Sequence, residues 1–252
     1  MLVFTAKYTA NMCNPRISVI TVCRNVLADV QRTAASVREQ TFTNYEYLIV
    51  DGASTDGTVE WLKEQNGIVW CSEPDKGIYD AMNKGVRLAK GEWIIFMNAG
   101  DTFYDKDVLH RIAPYLETEY GLVYGDIVKE RKGQEVIKHA ELPHNSHRMF
   151  FCHQALFTRT DLLRETPFDT THKLSADFKF VKQMYLKSVP LRYVPQVIAC
   201  FDTHGVSNTR LTDGLEDNIA VIREVDTNRW ERLCFIFRLQ FKILWTRIRH
   251  IR

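Results

Sequence analysis

The sequence lacks several features that define common classes of protein. Its six cysteines include no Cys-x-x-Cys pair, so a structural zinc site is not expected. No G-x-x-x-x-G-K-[S/T] sequence occurs, which excludes a P-loop. No run approaches the roughly 18 apolar residues that a membrane span requires. The first 25 residues contain no glycine, so the chain has no glycine-rich phosphate loop near its start, which a nucleotidyltransferase would need.

Charge and composition narrow the class further. The formal net charge is +2 and hydrophobic residues make up 45% of the chain, which fits a protein with a large core and no affinity for nucleic acid. Residues 1–16 lack the charged start and sustained apolar stretch of a signal peptide. Several cysteines lie in apolar runs, as reduced, buried thiols do. We expect a cytoplasmic protein, built as one large domain or as a domain with an appendage.

Apolar runs and helical spacings alternate through the first hundred residues. Strands are predicted at 16–23, 45–50, 68–71 and 93–97, and helices at 28–40, 58–65 and 77–89. This order predicts an α/β fold with a parallel sheet and right-handed crossovers. The pattern then becomes mixed, with a helix at 107–117, strands at 121–128 and 135–139, and further elements at 150–157, 177–187 and 191–201. We expect both halves to share one sheet and one core.

Polar groups follow the predicted strands at the edge where ligands bind in such sheets. Asp51 ends one apolar run, and its carboxylate is suited to a base N–H or a ribose hydroxyl. Asp56 is a plausible N-cap for the next helix, and Ser54 is either a second cap or a ligand contact. The sequence NAGD at 98–101 ends the fourth strand, where a carboxylate can hold Mg²⁺ or Mn²⁺ and a glycine lets a ligand approach.

The segment EPDKGIYDAMNKG at residues 73–85 lies between these two edges. Its turn at 75–77 precedes a helix, and N–H groups at a helix start together with Lys76 are suited to a diphosphate. Asp80 and Asn83 are three residues apart and share one helix face. They could both reach sugar hydroxyls, although a solvated face would give the same pattern.

Taken together and in this order, these blocks resemble the family 2 glycosyltransferases of the GT-A fold, in particular bacterial enzymes that build exopolysaccharide and O-antigen units. The resemblance covers residues 16–104 well and continues more loosely through 124–126, 153–155, 175–177 and 205–207. It implies a nucleotide-sugar donor, by default a UDP-sugar, and inversion at the anomeric carbon. The implied donor-binding residues are Thr21, Arg24, Asn25, Asp51, Ser54, Lys76, Gly77, Asp80, Asn83, Asn98, Ala99 and Gly100.

The resemblance also implies the chemical roles. Asp177 takes the position of the general base, although an N-cap of helix 177–187 is an alternative that is compatible with it. Asp101 takes the position of the metal ligand, with Mn²⁺ or Mg²⁺ as cofactor. The family's metal motif is usually Asp-x-Asp, whereas Asn98 and Gly100 stand at its first and third places here. Metal dependence is then weaker, or another residue such as His204, itself either a ligand or structural, completes the shell.

The acceptor side is less defined. His153 and Gln154 either line an acceptor cleft or belong to the core. The expected organisation is a GT-A domain at 1–212, with a donor half at about 16–104 and an acceptor half at about 105–212, followed by a helical extension at 213–252.

The extension ends in an unusual helix. Residues 229–252 contain seven Lys or Arg and one acid, together with many large apolar residues. A helix places Glu231, Arg238, Lys242 and Arg249 on one face. The segment is either an in-plane membrane helix attracted to anionic lipid, or a helix packed on the domain or across a homodimer.

The expected function is transfer of one sugar to a lipid-linked saccharide acceptor at the cytoplasmic membrane. The alternative is a non-catalytic, nucleotide-sugar-binding or scaffold subunit of a polysaccharide assembly complex, suggested by the reduced metal motif. A processive synthase is not expected, because such enzymes carry membrane spans.

Overall fold

The computed structural model describes residues 14–131, 134–201 and 211–250. The strands in these residues are β1 (Ile17–Cys23), β2 (Tyr45–Asp51), β3 (Val69–Ser72), β4 (Trp93–Phe96), β5 (Thr102–Phe103), β6 (Leu122–Arg131), β7 (Gln134–Lys138), β8 (Leu156–Arg159) and β9 (Leu191–Phe201). The helices are α1 (Leu27–Arg38), α2 (Thr58–Glu64), α3 (Ile78–Leu88), α4 (Val108–Ile112), α5 (Thr160–Glu165), α6 (Ala176–Leu186), α7 (Leu211–Val225) and α8 (Arg229–His250).

The first four strands form the predicted parallel unit. β1 lies between β2 and β4 and is parallel to both, and β3 extends the unit beside β2. β1 and β4 are buried along their whole length, because helices cover both faces of the sheet and a strand in such a position reads as a continuous apolar run. The carboxyl ends of β1, β2 and β4 therefore meet at one edge.

The second half continues the same sheet, which confirms that the two halves share it. The strand order in the described residues is β3-β2-β1-β4-β8-β6-β9-β5, with β7 beside β6. β8 is antiparallel to both β4 and β6, whereas β9 is parallel to β6. Alternate residues of β1 point to two apolar layers, one on each face, so Ile17 and Val19 pack in one layer while Ile20 and Val22 pack in the other.

Two predicted elements are shorter than the sequence suggested. The helix predicted at 107–117 ends at Ile112 and continues as a 3₁₀ turn, Ala113–Tyr115. Pro114 explains this, because a proline removes a helical N–H and clashes with the carbonyl four residues earlier. The element at 150–157 is a strand only from Leu156, since Phe150 and Phe151 instead pack their rings against Tyr124.

Helix α3 is pressed closely onto the sheet. A Cβ at Gly85 would lie 2.6 Å from Ile20 Cγ2, so only glycine permits this approach. Met82 and Val86 of the same helix are buried in the layer that also holds Phe180 of α6. This packing sets the N-terminal turn of α3 at the carboxyl edge of β1 and β2.

The C-terminal helices pack on the acceptor half rather than standing apart. Phe178 of α6 belongs to an apolar cluster with Leu215 and Ile219 of α7 and with Phe235 and Leu239 of α8. The division into a domain at 1–212 and an extension at 213–252 stays a prediction. Among the described residues, no helix is both long enough and apolar enough to cross a membrane.

Candidate active site

A cleft of about 310 Å³ opens at the carboxyl edge of the sheet. The start of α3, the turn after β4 and the first turn of α6 meet there, together with the loop before α6. The lining residues are Lys76, Gly77, Ile78, Tyr79, Asp80, Met82, Asn98, His153, Gln154, Thr170, Lys173, Leu174 and Asp177. The cleft thus joins residues of the predicted donor half to residues of the predicted acceptor half.

Asp177 presents its carboxylate from the first turn of α6, with a side chain that is 20% exposed. Its Oδ1 atom accepts hydrogen bonds from the Tyr79 hydroxyl at 2.7 Å and from the Phe178 N–H at 2.9 Å. Its Oδ2 atom lies 3.7 Å from His153 Nδ1, beyond hydrogen-bond distance. The N-cap of α6 is Ser175, so the N-cap alternative for Asp177 is wrong.

Tyr79 is a site residue that the sequence analysis missed. It is buried, and its ring lies 5.5 Å from that of Phe168. Burial raises the pKa of Tyr79, and the negative charge of Asp177 raises it further. The phenol therefore stays protonated and donates a hydrogen bond to Asp177. The sequence offered one sign that Tyr79 belongs to the site: it lies on the same face of α3 as Asn83, one helical turn earlier.

His153 lies beside Asp177 and is 10% exposed. Its ring stacks on Phe96 and contacts Phe168. Burial lowers the pKa of His153, with the Asp177 charge acting in the opposite direction. Neither ring nitrogen has a hydrogen-bond partner within the described parts of the chain. A buried, unpaired imidazole in a cleft is an available hydrogen-bonding group for a ligand. The predicted neighbour Gln154 also lines the cleft, where its Oε1 atom accepts a hydrogen bond from Cys152 Sγ.

The turn at 98–101 is fixed by hydrogen bonds to Thr33 of α1. Thr33 Oγ1 donates to the Asp101 carbonyl at 2.7 Å and accepts from the Gly100 N–H at 3.0 Å. Gly100 has a φ of 102°, a conformation that favours glycine. The Asn98 Oδ1 atom is buried and has no hydrogen-bond partner within residues 14–131, 134–201 and 211–250. Ala99 is partly buried in the same turn.

The turn at 75–77 differs from the expected diphosphate cradle. The Gly77 N–H donates to Asp75 Oδ1 at 2.9 Å, and the Lys76 N–H donates to Asp80 Oδ2 at 3.0 Å. These two N–H groups are therefore engaged by carboxylates, although Lys76, Gly77 and Asp80 all line the cleft as predicted.

Asp51 was predicted to contact a base, but its side chain is fully buried. The carboxylate accepts hydrogen bonds from the hydroxyls of Ser54 and Ser72 and from the Ser54 N–H. Ser54 in turn accepts from the Asn25 N–H, and Asn25 Oδ1 accepts from the Thr55 N–H at 2.8 Å. Asp51, Ser54 and Asn25 thus fasten the ends of β1 and β2 together.

Two further predicted ligand residues have structural contacts instead. Thr21 is fully buried, and its hydroxyl donates to the Met97 carbonyl at 2.7 Å. Asn83 is buried and makes two hydrogen bonds to the backbone of Phe168, at 2.8 and 3.0 Å. Both side chains therefore connect separate segments of the fold, and their roles in donor binding stay predictions.

The other predictions have mixed outcomes. Arg24 is exposed at the end of β1, where a ligand could reach it. Asp56 accepts from the N–H groups of Thr58 and Leu27, so it satisfies the starts of two helices although Gly57 is the N-cap of α2. His204 lies outside the described residues.

A second group of potential metal ligands lies behind the cleft. Ligand atoms of Asp169, His172 and Glu224 all lie within 4.8 Å of one another. The Lys179 ammonium, however, is 2.6 Å from Asp169 Oδ2 and also bonds Glu224. Since this ammonium already supplies the cation that the two carboxylates require, we assign the group as an ion-pair network that ties the loop before α6 to α7.

The mixed sheet thus presents the carboxyl edge of its parallel unit to a cleft that has a carboxylate on the opposite wall. The sequence profile of Glycosyl transferase family 2 matches residues 18–188, and the chain belongs to that family. It is 31% identical over 210 residues to a PGL/p-HBAD biosynthesis glycosyltransferase of Mycobacterium tuberculosis, covering 79% of this chain and 81% of the relative.

Solved structures share the fold at low identity. S. aureus TarS in complex with UDP superimposes with a TM-score of 0.65 and 16% identity, over 89% of this chain and 70% of that one. The mannosyltransferase PcManGT from Pyrobaculum calidifontis, in complex with GDP-Man and Mn²⁺, gives a TM-score of 0.62 and 18% identity, over 91% and 70% of the two chains.

Proposed function

We propose that this protein is an inverting glycosyltransferase that moves one sugar from a nucleotide-sugar to a hydroxyl of a lipid-linked saccharide in bacterial surface polysaccharide synthesis, such as that of O-antigen, capsule or exopolysaccharide. The observation that carries the proposal is Asp177, which lines the same cleft as Asn98 of the turn after β4. The mycobacterial relative is named as a biosynthetic glycosyltransferase, which supports this class of reaction. TarS structures with UDP and UDP-GlcNAc support a UDP-sugar as the first choice of donor.

The proposed chemistry is a single displacement. Asp177 Oδ2 takes the proton of the acceptor hydroxyl while that oxygen attacks the anomeric carbon. The bond from the anomeric carbon to the nucleoside diphosphate breaks on the opposite face, so the configuration inverts. His153, with an unpaired ring nitrogen beside Asp177, is suited to hydrogen-bond a sugar hydroxyl of the acceptor, and Gln154 lies next to it.

The residues at 98–101 fit a divalent cation. Asn98 Oδ1 is a buried amide oxygen without a hydrogen-bond partner in the parts of the chain that the structure describes, and Asp101, which is also buried and is not among the residues that line the cleft, would supply a carboxylate. Mg²⁺ and Mn²⁺ prefer oxygen ligands and accept one or two from a protein when phosphates supply others. When bound, the ion stabilises the negative charge of the departing diphosphate. Of the predicted donor-binding side chains, Arg24, Asn25 and Lys76 are exposed, and Ser54, Asp80 and Asn98 are partly exposed.

Asp101→Asn tests the donor site and its cation. We expect UDP-sugar with Mn²⁺ to raise the melting temperature of the wild type, since ligand at a hundredfold excess over Kd adds about 2.7 kcal/mol of stability. The variant loses most of this shift, because it lacks the one carboxylate of the turn. The measurement is thermal denaturation with UDP-, GDP-, CMP- and dTDP-sugars, in Mn²⁺, Mg²⁺ or EDTA. Asp161→Asn, at an exposed acid paired with Arg159, is the control. A wild-type shift that persists in EDTA contradicts the metal assignment.

We further propose that α8 lies on the cytoplasmic face of the membrane. Six of its large exposed residues follow at intervals of three and four, so they form one stripe along the helix. The members of this outward stripe are Trp230, Leu233, Phe237, Phe241, Leu244 and Ile248. Phe235, Leu239 and Ile243 form the opposite face and pack against α7. The helix thus has two apolar faces, of which the described residues cover only one.

Charge favours a membrane over a second copy of the chain as the partner of the outward stripe. Helical spacing places Arg229 and Arg247 on one side of the stripe, where Arg247 also pairs with Glu216 of α7, and it places Arg238 and Lys242 on the other. Basic side chains beside an inserted apolar face attract anionic lipid headgroups, whereas two copies of this helix would repel each other. A lipid-linked acceptor would then reach the cleft from the same surface.

A further inference from the structure

We infer that Tyr79 is a positioning residue that holds Asp177 so that Oδ2, and not Oδ1, receives the acceptor proton. The inference rests on the proposed function, because it names the reacting oxygen of that same base. Tyr79 itself does not contact the reacting atoms, and it acts only through the carboxylate.

The two oxygens of Asp177 have different surroundings. Oδ1 accepts two hydrogen bonds, from the Tyr79 hydroxyl at 2.7 Å and from the Phe178 N–H at 2.9 Å. Oδ2 accepts none from the described parts of the chain, and the nearest polar atom recorded for it is His153 Nδ1 at 3.7 Å. A carboxylate oxygen that already accepts two bonds is a poorer proton acceptor than its unpaired neighbour. The free oxygen is therefore the one available to a substrate hydroxyl.

Tyr79 is built to act as a fixed donor. Its side chain is buried against Phe168, so the ring has little freedom to turn away. Its pKa is raised by burial and by the Asp177 charge, which keeps the hydroxyl protonated. A protonated phenol beside a carboxylate donates a charge-assisted hydrogen bond, which is stronger than one between neutral groups.

The same face of α3 also binds the segment that leads into the loop before α6. Asn83, one turn after Tyr79, makes two hydrogen bonds to the backbone of Phe168. Phe168 precedes the loop that contributes Thr170 to the cleft. One helix of the donor half therefore contacts both the proposed base and the segment that leads into the cleft loop of the acceptor half.

The proposed step is balanced without Tyr79 changing its protonation. The acceptor hydroxyl gives its proton to Asp177 Oδ2, and its oxygen forms the new bond to the anomeric carbon. The bond from that carbon to the diphosphate oxygen breaks, and the electron pair leaves with the nucleoside diphosphate. The phenol keeps its proton throughout and its bond holds the carboxylate in one rotamer.

Tyr79→Phe keeps the ring and removes only the hydroxyl. We expect kcat to fall about tenfold, the typical effect of losing one hydrogen bond to a charged group, while KM for the donor changes less than about twofold. Tyr193→Phe is the matched control, since it also removes a phenol–carboxylate bond, 3.0 Å from Asp126, but outside the cleft. We expect its kcat to equal that of the wild type.

Several outcomes would overturn the inference. A wild-type kcat in Tyr79→Phe does so, and so does an equal loss in both tyrosine variants or a loss confined to KM. If Tyr79→Phe does not fold, the bond is tested in the wild type by NMR of the Tyr79 hydroxyl proton, which should resonate downfield and lose that shift in Asp177→Ala. A resonance that is the same in both proteins overturns the inference. Absence of any transfer by the wild type refutes the proposed function instead, and the NMR measurement still tests the bond.

Discussion

Asp177→Asn lowers kcat for sugar transfer by about 10²–10⁴-fold, the usual contribution of a general base. The amide has nearly the shape of the carboxylate and can still accept the Tyr79 hydrogen bond, so the fold and the cleft persist. It cannot remove a proton from the acceptor hydroxyl. Donor binding remains, because the residues proposed to bind the donor lie on other elements. The measurement is the rate of nucleoside diphosphate release with acceptor present, alongside the donor-induced melting shift.

Asp161→Asn is the control here as well, because it changes an exposed acid away from the cleft. We expect its rate to match that of the wild type. If Asp177→Asn transfers sugar at a rate within about tenfold of the wild type, a gap below the range for a general base, the base assignment is wrong. Loss of both transfer and donor binding would show a structural role for Asp177.

The outward stripe of α8 carries the second large effect. Replacing Trp230, Phe237 and Phe241 with serine should weaken binding to anionic vesicles by about a hundredfold or more, since each large apolar side chain contributes roughly 1.5–3 kcal/mol when fully buried. These three side chains are 80%, 70% and 61% exposed, so their removal leaves the core intact. The measurement is co-sedimentation with vesicles of phosphatidylcholine, with and without phosphatidylglycerol.

The control for this experiment replaces Val136, Ile137 and Leu142 with serine, since these apolar residues are also exposed but lie away from α8. We expect it to bind vesicles like the wild type. Analytical ultracentrifugation tests the alternative that the stripe forms a homodimer. If the wild type is a dimer and the stripe variant is a monomer, the stripe is assigned to the homodimer. Equal vesicle binding by the wild type and the stripe variant would contradict the membrane proposal.

The parallel unit could be predicted from the sequence because its strands are buried on both faces. β1 and β4 read as continuous apolar runs, and each is followed by polar residues at the ligand edge. The second half was predicted less well, because its order β8-β6-β9 depends on pairings between segments far apart in the chain. No local pattern specifies which of these strands become neighbours.

The sequence predicted site residues by type and position, and several of them have structural hydrogen-bond partners that it did not reveal. Asp51, Thr21 and Asn83 belong to the right motifs, yet their polar atoms are engaged by Ser54, Met97 and Phe168. Hydrogen bonds between such distant segments cannot be read from spacing. Tyr79 was missed for the opposite reason, since a tyrosine in an amphipathic helix gives no sign that its hydroxyl reaches a carboxylate 98 residues away.

The mixed character of α8 also has a structural explanation. In the sequence, basic and apolar residues alternate without clean segregation, which left a membrane helix and a packed helix equally open. The structure shows that Leu239 faces α7 while Phe237 faces away from the chain. The helix therefore has two apolar faces with basic residues between them. This arrangement explains why its basic and apolar residues are not segregated as they are in a helix with one apolar face.

The most direct test of the central claim is multiple turnover by the purified protein. The protein is incubated with each nucleotide-sugar and Mn²⁺ in vesicles that contain a bacterial lipid extract, and the transfer of labelled sugar to lipid is counted. The account predicts many transfers per protein molecule with one donor class, and none above background with Asp177→Asn. Donor binding without any turnover across the panel would contradict it and would favour a nucleotide-sugar-binding subunit without catalysis of its own.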